Sequence, residues 1–208
     1  MKLPNIVVRI LAGAVFVSLL VGGILCNEYT FAIIFSLITF LALFEFNGLI
    51  AKQESVQVSK IKGSIGGVIL FAGTYLYVSL SNPLGLLLYA LYVLIVFIGE
   101  LYLKKGNPIK SLAYFSFGQI YIAVPFSLLP LLAFGYEGNS YHWVYILAIL
   151  VFIWVNDSFA YLTGMAFGKH RLFERISPKK SWEGFIGGAI FAVGSSLVFA
   201  HFFEKLSM

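Results

Sequence analysis

Seven apolar runs, most of them near the length of a bilayer crossing, dominate this 208-residue chain and exclude most folds. A hydrocarbon core about 30 Å thick is crossed by roughly 20 helical residues. Windows of about 19 residues place helices near Val7–Leu25, Tyr29–Leu49, Ser64–Leu80, Leu84–Gly99, Leu112–Leu132, Tyr141–Phe167 and Phe185–Phe203. Lipid offers no partner to a backbone N–H or C=O, so such segments must satisfy their own hydrogen bonds, as helices do. The expected fold class is all-α: a polytopic transmembrane helical bundle of about seven spans, one transmembrane domain over residues 1–208.

Composition closes the soluble alternative. The chain is 60% hydrophobic and 11% charged, where a soluble domain has about 25% charged residues; its mean hydropathy is +0.94. The first run follows Lys2 and Arg9 as a signal peptide's would. No convincing small-residue cleavage site precedes Glu28, and more spans follow, so it reads as a retained helix. The fourth run is short for a span, and Pro125 and Pro130 are expected to kink the fifth or end it early. The lone Cys26 can form no intrachain disulfide.

The basic residues are sorted by loop. Lys2 and Arg9 stand at the first helix, Lys52, Lys60 and Lys62 between the second and third, and Lys104, Lys105 and Lys110 between the fourth and fifth. Lys169, Arg171, Arg175, Lys179 and Lys180 lie between the sixth and seventh. The alternate loops, at Asn27–Glu28, Ser81–Pro83 and Phe134–Ser140, hold none, so of the 14 Lys and Arg only Lys205 falls on the other side. The positive-inside rule then puts the amino terminus and the long basic loop in the cytoplasm, with a multi-pass location in a cell membrane, a bacterial inner or plasma membrane being expected. A formal net charge of +5 does not indicate nucleic acid, because topology alone demands such loops and no aromatic residues interleave them for base stacking. Anionic lipid headgroups are the natural partners of the same charges.

One segment carries more than topology requires. Asp157, the only aspartate, lies in an apolar run, where an acid is expensive and usually has a purpose. It stands about 24 Å along the sixth helix from an external start, near the cytoplasmic boundary. Asp157, Tyr161, Gly164 and Gly168 share one helical face at i, i+4, i+7 and i+11, and the glycines let a helix or a ligand approach the backbone. Downstream, Arg175-Ile-Ser-Pro-Lys-Lys-Ser-Trp-Glu-Gly184 packs four charges into ten residues. Lys and Arg side chains can neutralise phosphate oxygens. Ser177 reads as a turn or as an N-cap with Pro178 at the first helical position, which would set Lys179 and Lys180 in an anion-favouring first turn. Glu183 could cap, pair with a lysine or help hold a metal. Glu45 and Glu100 end apolar runs on the same side, facing a cavity or marking the interface. His142 and His201 read as structural, and His170 lies within the basic loop. Residues 156–184 thus form a cytoplasmic-face segment for an anionic substrate and a metal. No zinc spacing, Walker motif or Ser/His/Asp arrangement is present.

Asn156-Asp157-Ser158-Phe159-Ala160-Tyr161, Gly164, Phe167-Gly168-Lys169-His170, Ile176-Ser177-Pro178-Lys179-Lys180-Ser181-Trp182-Glu183-Gly184 and the following Phe185-Ile186-Gly187-Gly188 resemble the phosphatidate cytidylyltransferase (CDP-diacylglycerol synthase) family. The resemblance implies magnesium-dependent condensation of CTP with phosphatidic acid to give CDP-diacylglycerol and pyrophosphate, in phospholipid biosynthesis. It implies Asp157 as a metal-site carboxylate, Mg2+ as the cofactor, and Lys179 and Lys180 as catalytic phosphate-binding groups. Asn156, Tyr161, Gly164, Lys169, Arg175, Ser177, Pro178, Ser181, Glu183 and Gly184 are the expected substrate-binding set, with Ser177 and Glu183 positioning the loop. The chain could assemble as a homodimer.

Members of that family carry a second signature towards the carboxyl end, with lysine, aspartates and a His-Gly-Gly segment, which this sequence lacks. A C-terminally truncated chain is the expectation, one that could be inactive by itself. Two other readings remain. A CTP-dependent polyprenol or dolichol-type lipid kinase shares the Pro-Lys-Lys-x-x-Glu-Gly loop but moves the γ-phosphoryl group. A non-catalytic membrane protein, such as a transporter, would instead spread polar residues through mid-bilayer.

Overall fold

Each apolar run is a helix, and the ends are set by polar residues in the runs' flanks. The computed structural model describes residues 5–52, 59–103, 106–135 and 140–203. Lys2, Lys104, Lys105 and Lys205, which entered the charge count above, lie outside them. In chain order the elements are α1 (Asn5–Cys26), α2 (Glu28–Ile50), α3 (Lys60–Leu80), α4 (Leu84–Tyr102), α5 (Pro108–Gly118), a π turn (Gln119–Ala123), α6 (Val124–Phe134) and α7 (Trp143–Phe167). A short hairpin follows, β1 (Arg171–Phe173) and β2 (Ser177–Ser181), and then α8 (Trp182–Phe202). By length and composition, six helical stretches among the described residues can cross a membrane, one of them Pro108–Phe134 running through α5, the π turn and α6; α1 contributes a shorter apolar stretch, Ile10–Cys26. The chain is a multi-pass, predominantly helical membrane protein.

Caps explain the boundaries. Asn27 turns α1 into α2 through a capping box: its Oδ1 accepts from Thr30 N at 2.9 Å, and Thr30 Oγ1 accepts from Asn27 N at 3.2 Å. Ser59 caps α3, accepting from Lys62 N, so the helix starts at Lys60, earlier than its apolar run. Asn107 caps α5 in the same way, with Pro108 in the first turn. The fifth span does not end at its prolines. Pro125 has no N–H to give and its ring crowds the preceding turn. That turn opens into π geometry, with Val124 N donating to Gln119 O, and the helix continues to Phe134 with Pro130 inside it.

Two compact units are present, residues 1–143 and 144–208. In the first, α2 and α3 pack around an aromatic core: Phe31 lies 5.0 Å from Phe35, 6.1 Å from Phe71 and 5.6 Å from Tyr141, ring centre to ring centre. Tyr141 Oη donates to Ile24 O at 2.9 Å, tying the end of this unit to α1. Gly73 of α3 and Gly85 of α4 touch backbone to backbone; a Cβ on Gly73 would meet the Gly85 carbonyl carbon at 2.7 Å. Some of the polar groups buried here are paired across helices, while the Asn47 amide, equally buried, has no hydrogen-bond partner among the described residues. Gln119 Nε2, in the π turn, donates to Gly63 O at 2.8 Å, Tyr92 Oη donates to Lys62 O at 2.7 Å, and Lys62 Nζ lies 3.2 Å from Glu100 Oε1. Glu100 is therefore the partner of a lysine on α3, while Glu45 is exposed. The second unit holds α7, the hairpin and α8.

Candidate functional site

The basic segment is a hairpin and not the start of a helix. β1 and β2 are antiparallel, with Arg171 opposite Ser181 and Phe173 opposite Ser177. Ser177 is thus a strand residue, and the expected N-cap at Ser177 with Lys179 and Lys180 in a first helical turn does not hold. Both lysines lie extended and exposed on β2, beside Pro178. The cap is Ser181, whose Oγ accepts from Gly184 N at 3.2 Å, so α8 begins at Trp182. Two serines, each followed by a plausible first turn, compete in this sequence. Pairing with Arg171–Phe173 takes the first of them, and a proline on a two-stranded ribbon loses little because its missing N–H can face away from the partner.

Glu183, in the first turn of α8, holds the hairpin's base. Its Oε2 accepts from Lys169 N at 3.1 Å, both oxygens lie within 3.3 Å of His170 N, and Oε1 is 2.6 Å from His170 Nδ1. His170 O in turn accepts from Trp182 N at 2.9 Å. Glu183 acts here as a clasp on backbone N–H groups and an imidazole. Lys169 contributes its N–H to that clasp, while its residue stays exposed.

Beneath the clasp the helices meet through glycines. A Cβ on Gly184 would sit 2.7 Å from Ala160 O and 3.1 Å from Gly164 Cα; one on Gly188 would sit 2.8 Å from Asn156 O and 2.9 Å from Asn156 Oδ1. One on Gly168 would press on Gly164 O and lie 2.7 Å from Ser181 Oγ. The notch at Gly164 is therefore filled by α8. The contact stripe of α7 runs through Asn156, Ala160, Thr163 and Gly164, and Phe159 stacks on Phe191 with ring centres 3.7 Å apart. Asp157 and Tyr161, one position along from Asn156 and Ala160, are turned about 100° away and are exposed.

Apart from Asp157 and Tyr161, both exposed on α7, the expected site residues fall into three groups. Asn156, Gly164, Ser181 and Gly184 lie in the α7–α8 seam, and Glu183 with the Lys169 backbone forms the clasp. Arg175, Ser177, Pro178, Lys179 and Lys180 lie on the hairpin, with all but Ser177 exposed. Asp157 stands apart: it precedes Phe167, the last residue of α7, by ten positions, about 15 Å of axial rise. Its carboxylate makes no ion pair among the described residues. Sequence reasoning left His170 unassigned, although an acid in the first turn of the next helix is a signal for such a clasp.

No three of His, Cys, Asp and Glu gather into a metal cage among the described residues. Glu183 is engaged by His170 and the loop backbone, so of the two acids named for this site Asp157 alone has its oxygens uncommitted. That donor set fits Mg2+ in the manner it favours, one or two carboxylates with the remaining positions filled by substrate phosphates and water. It does not fit a metal held wholly by protein. The exposed cations on a rigidly based hairpin suit a polyanion.

A family model described as Cytidylyltransferase family matches residues 7–208. The chain is 39% identical to a phosphatidate cytidylyltransferase of Haemophilus influenzae over 99 residues, 46% of this chain and 33% of that protein. It is 56% identical to one of Aquifex aeolicus over 57 residues, 27% of this chain and 21% of the relative. Similarity to the Bacillus subtilis protein of the same name is lower, 26%, but extends over 201 residues, 94% of this chain and 70% of the relative.

Proposed function

This chain belongs to the cytidylyltransferase family, and on that premise we propose that it transfers CMP from CTP to phosphatidic acid, giving CDP-diacylglycerol and pyrophosphate. The observation that carries the reading is the exposed basic hairpin clasped between two membrane-spanning helices. A lipid phosphate and a nucleoside triphosphate can both reach it only at such a boundary. The hairpin belongs on the cytoplasmic side of a bacterial inner membrane, where CTP is made, as the loop charges favour.

In the reaction an oxygen of the lipid phosphate attacks the α-phosphorus of CTP. The bond from that phosphorus to the bridging oxygen breaks, and pyrophosphate leaves with its electron pair. Two polyanions must approach, so the groups that help most are fixed positive charges. Lys179 and Lys180 hold phosphate oxygens, and Arg175 and Lys169 add to the field. Ser181, Gly164 and Gly184 set the start of α8, and Glu183 with His170 holds the hairpin's base, so these act by position. Mg2+, when bound, would neutralise phosphate charge, and Asp157 is the side chain that would hold it, with Asn156 and Tyr161 its neighbours.

Membranes containing the protein, given phosphatidic acid and radiolabelled CTP, test this reading. Label from the α-phosphate should enter lipid and label from the γ-phosphate should not. Entry of γ-label alone would make the protein a lipid kinase. Lys179→Ala and Lys180→Ala should each lower the rate by about 10²-fold, as loss of a fixed charge-stabilising group does.

A further inference from the structure

The hairpin carries two large apolar side chains that its chemistry does not need. Phe173, at the end of β1, is 59% exposed, and Ile176, in the turn, is 76% exposed. We propose that this tip is an interfacial anchor, with Phe173 and Ile176 seated at the headgroup–acyl boundary of the bilayer and Arg171 and Arg175 against anionic lipid phosphates. The inference rests on the chain being a membrane protein, not on the transfer reaction.

Three observations choose lipid as the occupant. First, both ends of the hairpin leave helices long and apolar enough to cross a bilayer, α7 ending at Phe167 and α8 beginning at Trp182. The exposed Trp182 is of the type that marks the headgroup level. Second, orientation: Ser181 is buried, its Oγ against Gly164 and Gly168 at the foot of α7. Arg171 is the ladder partner of Ser181, and Phe173 lies two residues on along β1, hence on the same face as Arg171. Phe173 therefore shares the face turned to the helix ends. Third, charge: Arg171 and Arg175 flank the tip, Glu174 is the one acid there, and no described ion pair engages either arginine.

Reach also decides the matter. Five strand residues extend about 16 Å, whereas the headgroup layer of one leaflet is only about 5–8 Å deep. A hairpin standing along the membrane normal would hold Phe173 and Ile176 in water. Lying over, it buries both and brings the arginines to phosphate depth, as aromatic and basic residues do in interfacial segments.

The lone Cys26 makes the test direct. In a Cys26→Ser background, Phe173→Cys or Ile176→Cys is labelled with the environment-sensitive fluorophore NBD. The full chain is placed in phosphatidylcholine nanodiscs with and without phosphatidylglycerol. At both positions the anchor predicts blue-shifted emission, quenching by lipids spin-labelled near the top of the acyl chain, and little quenching by aqueous iodide. Lipid quenching should weaken when phosphatidylglycerol is omitted, or when Arg171→Gln and Arg175→Gln are combined. Lys180→Cys, on the opposite face, should be quenched by iodide. Water-like emission with iodide quenching at residues 173 and 176 overturns the proposal. So does blue-shifted emission that no spin-labelled lipid quenches, which would mean that another part of the protein or a second copy covers the tip. CMP transfer can survive either result, so this inference can fail while the proposed activity stands.

Discussion

Glu183 Oε1 lies 2.6 Å from His170 Nδ1, and through this contact the first turn of α8 grips the chain just after it has left α7. The same carboxylate takes the N–H groups of Lys169 and His170. One side chain thereby fixes where the basic hairpin begins and, with Ser181, where the next helix starts.

Glu183→Gln should loosen the hairpin's base without unfolding the helices. Amide exchange at Lys169 and His170, followed by mass spectrometry, should accelerate while exchange in the middle of α8 stays unchanged. His170→Ala should have a smaller effect, because the two backbone N–H groups still hold the carboxylate. Equal exchange in Glu183→Gln and the parent protein would show that the clasp does not order the loop.

Gly184 is packed where no side chain fits, so Gly184→Ala forces the α7–α8 seam apart. A loss of about 1–3 kcal/mol, typical of overpacking, is expected as a lowered thermal midpoint in detergent. Gly194→Ala is the control: nothing lies within 4 Å of a Cβ there, and the helix should be unaffected or slightly firmer.

Lys62→Met leaves the buried Glu100 carboxylate without its cation. Removal of one partner from a fully buried pair costs about 3–5 kcal/mol. The Lys62 side chain is 45% exposed, so solvent screening reduces the expected loss to about 1–3 kcal/mol. Combining Lys62→Met with Glu100→Gln should restore most of it. A double variant as unstable as the sum of the singles would show that the two residues do not act as a pair.

Chelation of divalent cations should stop CMP transfer, and added Mg2+ should restore it. Asp157→Asn should require more Mg2+ for half-maximal rate and reach a lower maximum, while Asp157→Glu should keep part of the activity. An Asp157→Asn protein with the parent's magnesium dependence would remove Asp157 from the metal site.

Much of the scaffold is legible in the sequence because hydropathy is a local property. The run Tyr29–Leu49 is the helix Glu28–Ile50, and Leu84–Gly99 is Leu84–Tyr102, long enough to cross after all. The fifth run shows where the local rule stops: Pro125 and Pro130 argue for a break, but a π turn that also places Gln119 against Gly63 absorbs the first of them. The pairings of Lys62 with Glu100 and Gln119 with Gly63 join residues far apart in sequence, and no periodicity announces them.

The sequence by itself determined that this chain spans a membrane, that its basic residues sort by loop, and that its unusual residues lie between Asn156 and Gly184. Those properties follow from lipid solubility and side-chain chemistry, which each residue carries wherever the chain folds. Tertiary structure alone decided that Lys179 and Lys180 lie on a strand, that Ser181 rather than Ser177 caps α8, and that α8 fills the notch at Gly164. Each depends on which of two locally adequate partners a group finds. That choice is settled by strand pairing and glycine-to-glycine packing between segments the sequence keeps apart.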